Sequence, residues 1–177
     1  KYLMPLVFTF IFIFMVLYIK VFTSPWGLYL NELSRNLFGK SLYSGRESLW
    51  IEIWDKIKQA PILGYGISKT SINITTLQLS THNQYLQTLL EVGLVGLLIF
   101  LVIFYILNRL LVINLNEWES KLSFSFFIAF IVYSTFELTL FQNNFPLSLI
   151  QWTVITTGIY IPTKIKVGFP FSLSIGK

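Results

Sequence analysis

The chain has 177 residues, 54% of them hydrophobic and only 12% charged, against roughly 25% charged in an ordinary soluble domain, which excludes a soluble fold as the first reading. Thirteen Lys+Arg against eight Asp+Glu give a formal charge of +5. The bases are scattered through apolar sequence with no Lys/Arg stripe, so no nucleic-acid footprint is present. Without cysteine there is no disulfide framework, thiolate zinc site or Cys nucleophile, and a single His excludes a multi-His metal site. Neither metal nor cofactor is expected.

The chain starts at Lys1 and runs at once into apolar sequence, which reads as the carboxyl part of a longer protein. The stretch Lys20-Val21-Phe22-Thr23-Ser24-Pro25-Trp26 lacks the small-residue step of a signal-peptidase site. Between Lys1 and Lys20 lie 18 uncharged residues; at ~1.5 Å per residue they nearly cross a ~30 Å hydrocarbon core. This makes residues 1–22 a first transmembrane helix. A second covers 92–113, where Gly93 and Gly96 offer another helix a close approach. From Leu122 to Thr163 only Glu137 is charged, and Gln142-Asn143-Asn144 ahead of Pro146 divides this run into spans at 122–141 and 145–163. Backbone polar groups in lipid must be satisfied within the element, and the runs are too continuous for alternating barrel strands. The expected fold class is an all-α membrane protein with four transmembrane helices.

Short basic loops set orientation. Arg109 and Lys121 in the connection that contains 114–121, and Lys164, Lys166 and Lys177 in the tail 164–177, put both on the cytoplasmic side, whereas the 142–144 hairpin carries no base. The segment 23–91 is then one long extracytoplasmic loop containing short helices.

Within that loop Ser44-Gly45-Arg46-Glu47 has capping-box spacing and opens a helix to about Lys58. Leu49, Trp50, Ile53, Trp54 and Ile57 recur on one face of it. That face fits packing against the membrane domain, lying in the headgroup layer, or both at once. Pro61-Ile62-Leu63-Gly64-Tyr65-Gly66 follows as a structural turn, too short for a nucleotide fingerprint. Ser68 to Ser80 fits a short strand or a draped loop, and its Asn73-Ile74-Thr75 says nothing without a eukaryotic origin. Thr81 and Gln84 again have capping-box spacing, which predicts Thr81 as the cap and puts His82 and Asn83 in the first turn, where free N–H groups attract anions. Glu47, Glu52, Asp55 and Glu91 read as caps and surface charges rather than paired hydrolase carboxylates. Glu137 is a functional candidate because an ionisable group inside an apolar span is costly; it either faces a cavity or reaches the headgroups.

Gly45-Arg46, then Trp50 and Trp54, then Pro61 to Gly66, then His82-Asn83-Gln84-Tyr85-Leu86-Gln87, then Glu91-Val92-Gly93-Leu94-Val95-Gly96 form an ordered set. In this order they resemble the O-antigen ligase and polysaccharide polymerase family of bacterial envelope glycan assembly, over about Gly45 to Leu107. The resemblance implies a multi-pass enzyme of the bacterial inner membrane that transfers a glycan from an undecaprenyl-pyrophosphate donor to a hydroxyl of an acceptor glycan, without a metal ion. It implies that Arg46 holds the donor pyrophosphate and that His82 orients or deprotonates the acceptor. A second pyrophosphate-binding arginine of the family lies in an earlier outer loop, so residues 1–177 alone are expected to be inactive. Asn83, Gln84 and Tyr85 are expected either to bind sugar or simply to cap the helix, and Glu137 to bind acceptor or pair with Arg46. The competing readings are a transporter or flippase subunit for lipid-linked glycans, which would need polar groups in several spans, and a non-catalytic fragment. Polymerase is favoured over ligase only as the broader role.

Overall fold

The structure, a computed structural model, describes residues 3–22, 24–138 and 145–167. Among these residues the chain is all-helical, in the order α1 Leu3–Phe22, α2 Pro25–Phe38, α3 Arg46–Gln59, α4 Ser71–Ile74, α5 Gln84–Ile113, α6 Trp118–Tyr133 and α7 Phe145–Val167. Among the described residues, α5 is the one helix long and apolar enough by itself to cross a membrane, and α1 with α2, bent 77° to each other, passes the same test as a pair. α6 has 16 residues rather than the expected 20 of 122–141, about 24 Å of helix. The 142–144 hairpin and the tail from 168 lie outside the described residues.

Helix ends follow local chemistry. Ser24 caps α2 by accepting from the Gly27 N–H at 3.3 Å, Pro25 occupies the first helical position, and Gly39 closes the helix with φ 65°. α3 starts one residue later than a Ser44 cap would give: Gly45 is the N-cap, with φ 86°. Half of the capping box is nonetheless made, because the Glu47 carboxylate accepts from the Ser44 N–H at 3.1 Å. Between Ser68 and Ser80 the structure has a single turn of helix, α4, in a loop. The Glu52 carboxylate accepts from the Thr76 N–H at 2.7 Å and the Thr76 hydroxyl at 3.0 Å, so it ties that loop to α3 rather than standing as a surface charge.

Two apolar cores hold the helices. Phe100, Phe104 and Leu111 of α5 pack with Phe127, Phe130 and Ile131 of α6, Ile155 of α7 and Ile11 of α1. Leu49, Trp50, Ile53 and Ile57 of α3 close over Leu86 and Leu90 of α5, so that part of the α3 face is packed, while Trp54 at its edge stands 44% exposed. α6 and α7 approach closely where residues are small: a Cβ on Gly158 would lie 2.4 Å from that of Ser123. There the Ser123 hydroxyl donates to the Val154 carbonyl at 2.6 Å, and the Ser120 hydroxyl donates to that of Gly158.

Gly93 does not receive a neighbouring helix. It breaks α5 with φ 64° and ψ −163°, and the Pro61–Gly66 turn plugs into the break. Tyr65 and Gly66 N–H donate to the Leu90 and Glu91 carbonyls at 2.9 and 2.8 Å, while Leu94 and Val95 N–H donate to those of Pro61 and Ile62 at 2.8 and 3.2 Å. Four hydrogen bonds thus replace those the kink interrupts. A Cβ at Gly93 would lie 2.2 Å from the Ile62 oxygen, and one at Gly64 2.6 Å from the Glu91 oxygen.

Candidate active site

The site is built around the entry to α5. The N-cap is Asn83, not Thr81: its backbone is extended and its side-chain oxygen accepts from the Leu86 N–H at 2.9 Å. His82 therefore stands before the helix rather than in its first turn. Its φ of +44° lies in the left-handed region, where histidine is several-fold enriched among the uncommon non-glycine cases, and both neighbours are clamped. Thr81 is fully buried; its carbonyl accepts from Trp50 Nε1 at 2.9 Å and its hydroxyl donates to Gln87 Oε1 at 3.2 Å. Asn83 is fully buried and donates through Nδ2 to the Thr135 carbonyl at 3.0 Å.

The segment after α6 is docked by the same residues. Gln84 N–H donates to the Ser134 carbonyl at 2.8 Å, and the Tyr85 hydroxyl donates to that of Ile131 at 2.7 Å. This docking brings Glu137 beside His82, with Oε2 3.2 Å from Nδ1 and both side chains partly exposed. Glu137 thus pairs with His82 and not with Arg46. Asn83, Gln84 and Tyr85 are all buried. The polar groups of Asn83 and Tyr85 are committed inward, which is the capping and packing alternative to sugar contact.

Arg46 opens α3 and is partly exposed; among the described residues its guanidinium has no hydrogen bond or ion pair. One turn on and on the same face, Trp50 grips Thr81, and a Cβ on Gly45 would sit 3.5 Å from the Leu79 side chain. The first turns of α3 are thereby fastened to Thr81. Burial disfavours the Glu47 carboxylate, but hydrogen bonds from backbone N–H groups, including that of Ser44, and from the Tyr18 hydroxyl outweigh it and hold the carboxyl below its usual range.

Glu91 departs from the surface role expected of it. It is buried and accepts from Gln87 Nε2 at 2.6 Å, completing a run Trp50, Thr81, Gln87, Glu91 beneath the site. Asp55 does behave as a surface charge, paired with Lys58 at 2.9 Å. An apolar cleft of about 610 Å³ between α1, α3 and α5 opens beside this corner, its wall including Phe8, Phe12, Trp50, Trp54, Tyr85 and Leu97. Among the described residues no three His, Asp or Glu side chains converge as a metal site would require. Sequence reasoning missed the His82–Glu137 pair and the Gln87–Glu91 pair. The second had a signal, the i,i+4 spacing on one helix; the first, 55 residues apart, had none.

No curated protein and no solved structure matches the chain. Residues 1–101 match the family described as O-antigen ligase, a match that takes in α1 and α2 as well as the motifs from Gly45 onward. With more than half of its length matched and its apolar helices arranged as above, the chain belongs to the O-antigen ligase family, membrane proteins of ligase- or polymerase-type glycan assembly.

Proposed function

We propose that the chain supplies the catalytic corner of a membrane glycosyltransferase that moves a glycan from a polyprenyl-pyrophosphate donor, undecaprenyl pyrophosphate in bacteria, to an acceptor glycan hydroxyl. The observation that carries this is His82: a half-exposed imidazole on a backbone clamped from both sides, at the mouth of a membrane-capable helix, in a chain of this family. The acceptor oxygen attacks the anomeric carbon. The bond from that carbon to the pyrophosphate oxygen breaks with its electron pair leaving on the pyrophosphate, and the hydroxyl proton passes to His82. Imidazole suits this role because its neutral form offers a ring nitrogen lone pair to the incoming proton.

Arg46 stabilises the departing diphosphate. Guanidinium keeps its charge at all relevant pH and presents a planar fork of donors to phosphate oxygens, and this one is uncommitted within the described chain. The apolar cleft beside Trp50 is the natural place for the start of the polyprenyl tail. We place residues 1–22, 92–113, 122–141 and 145–163 as spans, with 23–91 outside and 114–121 and 164–177 inside. Polymerisation, with another lipid-linked repeat as acceptor, is the form of transfer favoured. The test is complementation by the full-length protein in a strain lacking it. Arg46→Ala and His82→Ala are each expected to abolish the glycan product on a gel at unchanged expression, while Arg35→Ala on α2 leaves it intact. Equal defects in all three, or none, would contradict the assignment.

A further inference from the structure

We propose that Glu137 is a positioning residue that sets the tautomer of His82 and so makes Nε2 the proton acceptor; this rests on the reading of His82 as the base. An ionised carboxylate can only accept, so the 3.2 Å contact between Glu137 Oε2 and His82 Nδ1 requires the proton on Nδ1. Neutral imidazole then keeps its lone pair on Nε2, the nitrogen away from the carboxylate. When the acceptor's proton arrives at Nε2, the imidazolium forms already beside a counter-charge.

The pairing is registered by the fold. Three consecutive residues grip the end of α6 from its partner helix: Asn83 Nδ2 on the Thr135 carbonyl, Gln84 N–H on that of Ser134, and the Tyr85 hydroxyl on that of Ile131. The segment then turns on itself through Phe136 and Glu137 N–H, which donate to the Tyr133 carbonyl at 2.8 and 3.1 Å. The Glu137 carboxylate is carried by this pinned turn, and His82 directly precedes the residues that do the gripping. Among the described residues Glu137 is the charged group in contact with the ring, and no Lys or Arg is bonded to either partner. Partial exposure of both side chains leaves room for a hydroxyl at the open nitrogen.

Two measurements on the full-length protein in nanodiscs test this. In histidine-¹⁵N-labelled protein, with the His82 signals assigned by their loss in His82→Ala, Nδ1 is expected to carry the proton in the wild type and to lose it to Nε2 in Glu137→Leu. In transfer assays with a polyprenyl-pyrophosphate-linked glycan, Glu137→Leu is expected to lower kcat about 100-fold and Glu137→Gln, which can still accept, about 10-fold, with the acceptor KM within about twofold. In a His82→Ala background Glu137→Leu should change the residual rate by less than about twofold, since the two act as a unit. A raised acceptor KM at unchanged kcat, or fully multiplying defects, would overturn the positioning role. So would an Nδ1 never protonated in the wild type or still protonated in Glu137→Leu, whatever the transfer rates. Full transfer by His82→Ala would overturn the base assignment itself, whereas an inactive His82→Ala beside an unaffected Glu137→Leu overturns only the pairing.

Discussion

The two halves of α5 obey opposite rules. Before Gly93 the helix buries polar side chains, Gln84, Gln87 and Glu91; after it, Leu98, Ile99, Val102, Tyr105 and Ile106 stand exposed. In water the second half would be an aggregation surface, and in lipid it is an ordinary helix face. The first half carries these polar side chains alongside Leu86 and Leu90, which α3 covers, and its entry is gripped by the segment after α6. The break at Gly93, with the turn docked into it, marks where one pattern gives way to the other.

The comparison breaks most completely at the joint. Gly93→Val puts a side chain where backbone already stands, at a φ that β-branched residues reject, and is expected to abolish folded full-length protein, read as loss of the monodisperse peak in detergent. On the apolar half, Val102→Lys should cost about 2.5–3.5 kcal/mol in membrane insertion, visible as a reduced inserted fraction, whereas Val102→Leu should be silent. On the polar half, Gln87→Leu removes the acceptor of the buried Thr81 hydroxyl as well as a donor to Glu91 and is expected to cost about 2 kcal/mol, in the range for a buried group that loses its partner, measured by thermal unfolding. Trp50→Phe loses the bond to the buried Thr81 carbonyl and leaves a gap where the larger indole sat, a cost of about 1–3 kcal/mol. The smallest effect is in acid. The Glu47 carboxyl is held lower in the folded chain than in the unfolded, so its contribution is fully present above the ordinary glutamate pKa of about 4.3. That contribution is lost as pH falls through the lower folded value. Glu47→Gln should flatten that acid limb and leave the pH dependence near neutrality unchanged.

The sequence carried the all-helical class, the Trp face of α3 and the motif blocks because each is local: periodicity, caps and apolar length are written within a few residues. α2 also had local signals, Ser24-Pro25 at one end and Gly39 at the other. What could not be read is pairing at a distance. Gly93 carried the cue for a close approach, but only the fold shows that the visitor is the turn at Ile62 and not a helix. The cap moved from Thr81 to Asn83 because Thr81 is drawn into contacts with Trp50 and Gln87, both set by tertiary packing. Glu91 looked like a surface charge for the same reason: burial is decided by α3 and the turn, not by its neighbours in sequence.

The most direct test of the central claim is the rate at which the purified full-length protein, in a bilayer, moves a glycan from a polyprenyl-pyrophosphate donor to an acceptor hydroxyl. His82→Ala and Arg46→Ala should each lower that rate by at least about 100-fold, with Arg35→Ala matching the wild type. A His82→Ala protein that transfers glycan at the wild-type rate would contradict the account.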